Sequence, residues 1–138
     1  MVTDLERQAA GLFTVGFYGK TVTEDLAGLL ARGVGGVIFF ARNVGSADQV
    51  LELTRDIKRV AGRPLVLAID QEGGQVARLR KGFTEIPPLR AVGPAGSATL
   101  ARELGKLLGR ELRAVGFDMN YAPVLDIDTN PDNPIIAS

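Results

Sequence analysis

The sequence predicts an α/β protein built on a parallel sheet, and three observations carry that prediction. Short apolar runs alternate with amphipathic segments in the strict order strand, helix, strand, helix, strand, helix, strand. The run at residues 65–69 (Leu-Val-Leu-Ala-Ile) is apolar at every position, which suits a strand covered on both faces. Helix-start and helix-stop residues fall between the runs, so each strand reaches the next by a helical crossover. Such a sheet closes either as an open doubly wound layer or as a (β/α)8 barrel. Four strands in 138 residues make about half of a barrel, which typically takes about 250 residues.

Residues 3–10 read as a polar helix with Thr3 or Asp4 as its cap. Residues 11–17 read as the first strand, and Tyr18-Gly19-Lys20 as the turn after it. Thr21 and Glu24 have the spacing of a capping box, in which each side chain satisfies a free amide of the helix start. Leu26, Leu29 and Leu30 mark the buried stripe of the helix that follows, and Gly33 can end it in a left-handed conformation. Residues 35–40 form the second strand, with the polar turn Ala41-Arg42-Asn43 behind it. Ser46 and Gln49 make another capping box. Val50, Leu53, Ile57 and Val60 then recur at helical spacing until Gly62 and Pro64 close the helix.

Residues 65–69 are the third strand. The connection at 70–95 is about 26 residues long, against the usual two to six of a strand-to-helix link, and connections of that length are usually functional. Its Pro87-Pro88 and Gly93-Pro94 make it ordered turn rather than helix. Ser97 can cap a third crossover helix with Leu100, Leu104, Leu107, Leu108, Leu112 and Val115 on its inner face, stopped by Gly116. Residues 117–124 read as the fourth strand and residues 127–138 as loop. The chain stops straight after a strand with no helix to cover it, and half a barrel would expose strand edges and an uncovered apolar inner surface.

Composition narrows the function classes. Hydrophobic residues at 46% are enough for a core, and charged residues at 23% are enough for a soluble surface. Sixteen basic and sixteen acidic side chains cancel, so no overall field draws the protein to nucleic acid or to an anionic membrane. The absence of cysteine excludes disulfides, thiolate metal sites and a cysteine nucleophile; the absence of histidine removes the commonest general base. The N-terminus has no basic start followed by an apolar core, and no apolar stretch approaches the roughly 20 residues of a membrane span. A soluble, cytoplasmic protein without a cofactor is expected.

Asp70 is the leading candidate for chemistry. A carboxylate at the C-terminal end of a buried strand, at the mouth of a long loop, sits where α/β folds put ligand groups, although it could instead brace the turn. Carboxylates suit sugars, because one can accept hydrogen bonds from two neighbouring hydroxyls. The turn also offers Gln71, Glu72, Arg78 and Arg80, with Gly73 and Gly74 free to take conformations closed to other residues. Glu72 can orient the loop through Arg78 or backbone amides. Arg42 and Asn43, after the second strand, share the rim with Asp70 and are candidates for supporting its loop. Asp126, Asp128, Asn130 and Asp132 alternate like calcium ligands, but Pro131 stands where the sharp turn needs glycine and Ala137 where a bidentate glutamate belongs. The preferred reading has Asp126 fixing the loop at the strand's end and the other three forming turns, with no metal. An Asp126 and Asp128 phosphatase-like pair is the rival. Tyr121 and Phe117 read as core rather than sugar-stacking residues.

The segment Asp70-Gln71-Glu72-Gly73-Gly74-Gln75-Val76-Ala77-Arg78 resembles the signature of glycoside hydrolase family 3, in its bacterial β-N-acetylhexosaminidase branch. Residues 35–43 (Gly-Gly-Val-Ile-Phe-Phe-Ala-Arg-Asn) are similar to the family's GGVILFxRN, and residues 116–126 to its GIDxNFAPVLD. The resemblance implies a (β/α)8 barrel and retaining hydrolysis of terminal β-linked N-acetylglucosamine, as in recycling of cell-wall muropeptides. It implies that Asp70 binds hydroxyls of the terminal sugar and that Arg78 binds in or braces the same pocket. The family's next substrate-binding arginine, a lysine-histidine pair, a histidine acid/base and an aspartate nucleophile would all fall beyond Ser138, so no catalytic residue is expected in this chain. Residues 1–138 are therefore expected to be a partial family 3 N-terminal barrel domain, truncated at its C-terminal end and inactive alone. Two alternatives stand beside this one: a family 3 β-glucosidase-type exo-hydrolase, and a non-catalytic half-barrel that self-associates through open sheet edges.

Overall fold

The computed structural model describes residues 3–126, 129, 130 and 132. Helix α1 (Asp4–Ala10) leads into strand β1 (Thr14–Gly16), and α2 (Glu24–Arg32) into β2 (Gly36–Phe39). Helix α3 (Ala47–Ala61) leads into β3 (Val66–Ile69), and α4 (Ala98–Ala114) into β6 (Met119–Asn120). Between β3 and α4 lie two further strands, β4 (Gln71–Gly73) and β5 (Val76–Ala77), and a 3-10 segment, Leu89–Ala95. The main sheet has the order β1-β2-β3-β6 with every pairing parallel, as expected of successive barrel strands.

Register divides this sheet into two unlike faces. Val37 pairs with Leu67 and Phe39 with Ile69, and all four are fully buried against Leu26, Leu30, Val50, Leu53 and Ile57 of the helices. Phe39 is the hub, its ring edge-on to Phe17 at 5.1 Å and to Phe117 at 4.9 Å between centroids. On the opposite face Gly36 pairs with Val66, and Ala68 with Met119. There Val66 and Met119 remain 39% and 38% exposed, although Ala68 beside them is buried. Asp70 continues the alternation of Val66 and Ala68, so it stands at the C-terminal rim of the open face.

Caps account for where the helices begin. Thr3 and Glu6 form a complete capping box, with the Glu6 amide donating to Thr3 Oγ1 at 3.3 Å and the Thr3 amide to Glu6 Oε2 at 2.7 Å. Ser97 accepts from the Leu100 amide at 3.2 Å, as its position predicts. Two expected caps differ. Thr23, not Thr21, caps α2, accepting from the Leu26 amide at 3.3 Å, which places Glu24 and Asp25 in the positive first turn. Ser46 caps α3, but the Gln49 side chain reaches past it to the Gly45 amide at 2.7 Å and donates to the Lys20 carbonyl at 2.8 Å.

Two strands are shorter than their apolar runs. The first strand is Thr14–Gly16, not residues 11–17, and Leu12 and Phe13 are exposed. The fourth is Met119–Asn120 alone, since it pairs on one side only, with Ala68 and Ile69, and Pro123 has no N–H to extend the ladder. Val60 and Leu100, expected on buried stripes, are 44% and 42% exposed. The connection at 70–95 is more structured than turns alone, holding the β4–β5 hairpin and the 3-10 segment. Most of residues 127–138, Asp128 and Pro131 among them, lie outside the described residues; Asn130 Oδ1 accepts from the Asp132 amide at 3.1 Å, the bond of a turn former.

Candidate functional site

The hairpin that follows β3 exists to bring Arg78 back to Asp70. β4 and β5 are antiparallel, with Gln71 opposite Ala77 and Gly73 opposite Val76 across an irregular register. The Gln71 side chain clamps the two arms. Its Oε1 accepts from the Arg78 and Leu79 amides at 2.8 and 2.9 Å, and its Nε2 donates to the Leu79 carbonyl at 2.8 Å. These bonds explain why Gln71, offered by the sequence as a ligand group, is 95% buried. Gly73 and Gly74 have φ of +95° and +57°, and the turn lies tight beneath Pro87 and Pro88. A methyl on Gly73 would sit 2.5 Å from the Pro87 carbonyl oxygen, so both the backbone angle and the space demand glycine.

A second clamp ties the site to the edge strand. The Gln71 amide donates to Asn120 Oδ1 and Asn120 Nδ2 donates to the Gln71 carbonyl, each at 2.9 Å. Sequence reasoning missed Asn120; its signal was a side-chain amide near the end of a strand, facing another amide one strand away. Lower on the same strands the Asp118 carboxylate accepts from the Leu67 amide at 3.0 Å and from Lys58 Nζ at 2.9 Å.

With the hairpin fixed, Arg78 Nη2 lies 3.0 Å from Asp70 Oδ2, both side chains about three-quarters buried at 24% and 21% exposure. Arg78 makes this bond with one nitrogen; its buried Nε has no acceptor among the described residues, and its guanidinium carbon lies 5.9 Å from the centre of the Phe40 ring. Asp70 Oδ1 has no partner among the described residues, so one carboxylate oxygen is held by the arginine and the other is open as a hydrogen-bond acceptor.

Glu72 shares this environment. Its carboxyl is raised above the ordinary range, first by partial burial, then by the neighbouring Asp70 and Asp126 carboxylates, with Arg78 opposing. Four of the residues singled out from the sequence, Asp70, Glu72, Arg78 and Asp126, thus interact electrostatically. Arg42 and Asn43 serve a different loop. Asn43, fully buried, donates to the Phe17 and Gly19 carbonyls at 3.2 and 2.9 Å and accepts from the Phe40 amide at 2.9 Å. Arg42 Nε donates to the Phe17 carbonyl at 2.8 Å. Phe117 is buried in the core, whereas Tyr121 is 42% exposed.

The arrangement is a partly buried ion pair at the rim of a parallel sheet, presented by a hairpin that the Gln71 side chain clamps. Residues 4–138 match the Glycosyl hydrolase family 3 N terminal domain. The chain belongs to glycoside hydrolase family 3. This family 3 chain is 46% identical over 124 residues to a beta-hexosaminidase of Nitrosomonas eutropha, a match covering 85% of the chain and 36% of that relative. A glycoside hydrolase family 3 beta-N-acetylglucosaminidase from Paenibacillus sp. superposes with a TM-score of 0.91 at 41% identity, over 98% of this chain and 27% of that one. NagZ from Neisseria gonorrhoeae, solved in complex with N-trifluoroacetyl-D-glucosamine, superposes with a TM-score of 0.76 at 34% identity, over 83% of this chain and 36% of that one. The family 3 chain spans about a third of the length of the curated relatives it matches. Among the described residues no helix is long and apolar enough to cross a membrane.

Proposed function

We propose that this chain forms the first half of a family 3 (β/α)8 barrel in a retaining β-N-acetylhexosaminidase that removes terminal β-linked N-acetylglucosamine. Asp70 and Arg78 bind the terminal sugar: Asp70 accepts from ring hydroxyls, and Arg78 both orients that carboxylate and donates beside it. Glu72 and Asp126 shape the loop. A cytoplasmic role in recycling cell-wall muropeptides goes with this assignment. The observation that carries it is the Asp70–Arg78 pair, held by the Gln71 clamp at the rim of the open face in a chain similar to beta-hexosaminidases. Retaining hydrolysis uses two groups, a nucleophile and an acid/base, about 5 Å apart. We assign neither to residues 1–138, so residues 1–138 alone are inactive. The full-length protein is expected to hydrolyse 4-nitrophenyl N-acetyl-β-D-glucosaminide with a higher kcat/KM than the corresponding β-glucoside. A preference for the glucoside would move the protein to the β-glucosidase type, and turnover by residues 1–138 alone would refute the division of the site.

A second reading has one observation in its favour. An apolar groove of about 600 Å³ runs between the 3-10 segment and α4, lined by Leu89, Val92, Leu104, Leu108 and Pro123. It lies beside β6, whose outer edge pairs with no strand among the described residues. The remainder of a barrel would fill it, but so would a second copy of a self-assembling half-barrel. Light scattering on residues 1–138 separates them, since only the second reading gives a single defined oligomer.

A further inference from the structure

Arg42 is a guanidinium held in place without a counter-charge among the described residues. Its Nε–H donates to the Phe17 carbonyl at 2.8 Å, and its guanidinium carbon lies 4.5 Å from the centre of the Phe40 ring and 4.7 Å from that of Tyr18. Gly16 leaves room for this: a methyl there would come within 3.1 Å of Phe40 Cε2 and 3.2 Å of Arg42 Nη2. The three contacts hold the group before anything binds, so less side-chain freedom is left to lose. Arg78 is paired with Asp70 and Arg80 donates to the Gly74 and Gln75 carbonyls, whereas Arg42 meets no carboxylate among the described residues.

Bracing the loop does not account for it. Asn43, neutral and buried, already bonds the Phe17 and Gly19 carbonyls, so the loop after β1 is held without a surface charge. Tyr18 is 79% exposed, with the guanidinium over one face of its ring and the other face open to a ligand. Phe40 links this corner to the proposed sugar pocket, because the Arg78 guanidinium carbon lies 5.9 Å from the same ring.

We propose that Arg42 and Tyr18 form an anion-reading subsite that takes a carboxylate carried by the leaving-group side of the substrate. The proposal rests on the reading of Asp70 and Arg78 as the sugar-binding pair. A terminal N-acetylglucosamine is neutral, so an anion beside it must belong to the rest of the molecule. The planar guanidinium offers two parallel donors to a carboxylate, and the ring that bears the carboxylate lies on Tyr18.

Two measurements on the full-length protein test this. In the first, sodium benzoate and neutral benzamide are titrated while the Arg42 Nε–H resonance, assigned by its loss in Arg42→Lys, is followed by NMR. A saturable shift with benzoate and none with benzamide is expected; no shift with benzoate overturns the subsite whatever the activity. In the second, kcat/KM is compared for an aryl N-acetylglucosaminide bearing a ring carboxylate and for its uncharged analogue. The wild type should favour the acid about fivefold, the upper end for an exposed ion pair, with the preference shrinking as salt rises. Arg42→Gln should bring the ratio to about one, and Arg42→Lys should restore part of it, as a point charge does. A ratio unchanged by Arg42→Gln overturns the leaving-group assignment. Benzoate binding without turnover of either glycoside upholds the anion subsite and overturns the proposed function instead.

Discussion

The two faces of the main sheet are in different states of completion. Toward the helices Val37, Phe39, Leu67 and Ile69 are wholly excluded from solvent. On the opposite face, Val66 of β3 and Met119 of β6 keep 39% and 38% of their surface exposed. The helix side already works as a core, because α2, α3 and α4 each supply leucine, isoleucine or valine to it. The other side carries the pair proposed to bind the sugar: Asp70 and, through the hairpin, Arg78. On the proposed assignment, stability and recognition sit on opposite faces of one sheet, and substitutions should separate them.

The largest expected effect is on the helix side. Phe39→Ala removes the ring that meets both Phe17 and Phe117 and should cost about 3–5 kcal/mol in urea unfolding. A loss below about 1 kcal/mol would mean that this face is not the core. Val66→Asp probes the other side in the full-length protein. If the remaining barrel covers this face, an unpaired buried carboxylate should cost at least about 2 kcal/mol; on a face that stays open the change should fall within about 0.5 kcal/mol. Gly73→Ala forces a side chain onto a φ of +95° against the Pro87 carbonyl and should cost more than about 1 kcal/mol, while weakening sugar binding by displacing Arg78.

Glu72→Gln is the smallest and has the opposite sign. The Glu72 carboxyl is raised in the folded protein by burial and by Asp70 and Asp126, so its ionised form is the costly one there. Below the unfolded value both states are protonated and the variant should match wild type. As pH rises through the raised folded value, the wild type loses stability that the variant keeps. The melting-temperature gap should therefore open on going from acid toward neutral pH. A gap of the other sign would mean that Glu72 is held by a bond to its charged form.

Much of this was legible in the sequence, for identifiable reasons. Ser97, Ser46 and Thr3 announced helix starts because a cap is a local bond between residues three apart. The uniform run at 65–69 announced β3 and put Asp70 at its end. The β4–β5 hairpin was not legible. Its arms of three and two residues show no alternation, and they are set by the Gln71 side chain reaching to the amides of Arg78 and Leu79. Asn120 and Arg42 were missed or misdirected for the same reason: their partners, Gln71 and the Phe17 loop, lie 49 and 25 residues away. Spacing rules see neighbours along the chain and not across the sheet.

The sugar-binding role of Asp70 is tested most directly by Asp70→Ala in the full-length protein, assayed with 4-nitrophenyl N-acetyl-β-D-glucosaminide. Losing one charged hydrogen-bonding partner, about 1.5–3 kcal/mol, should lower kcat/KM by at least about tenfold. Circular dichroism should be unchanged, because Asp70 lies on the open face and not in the core. An unchanged kcat/KM would remove Asp70 from the site.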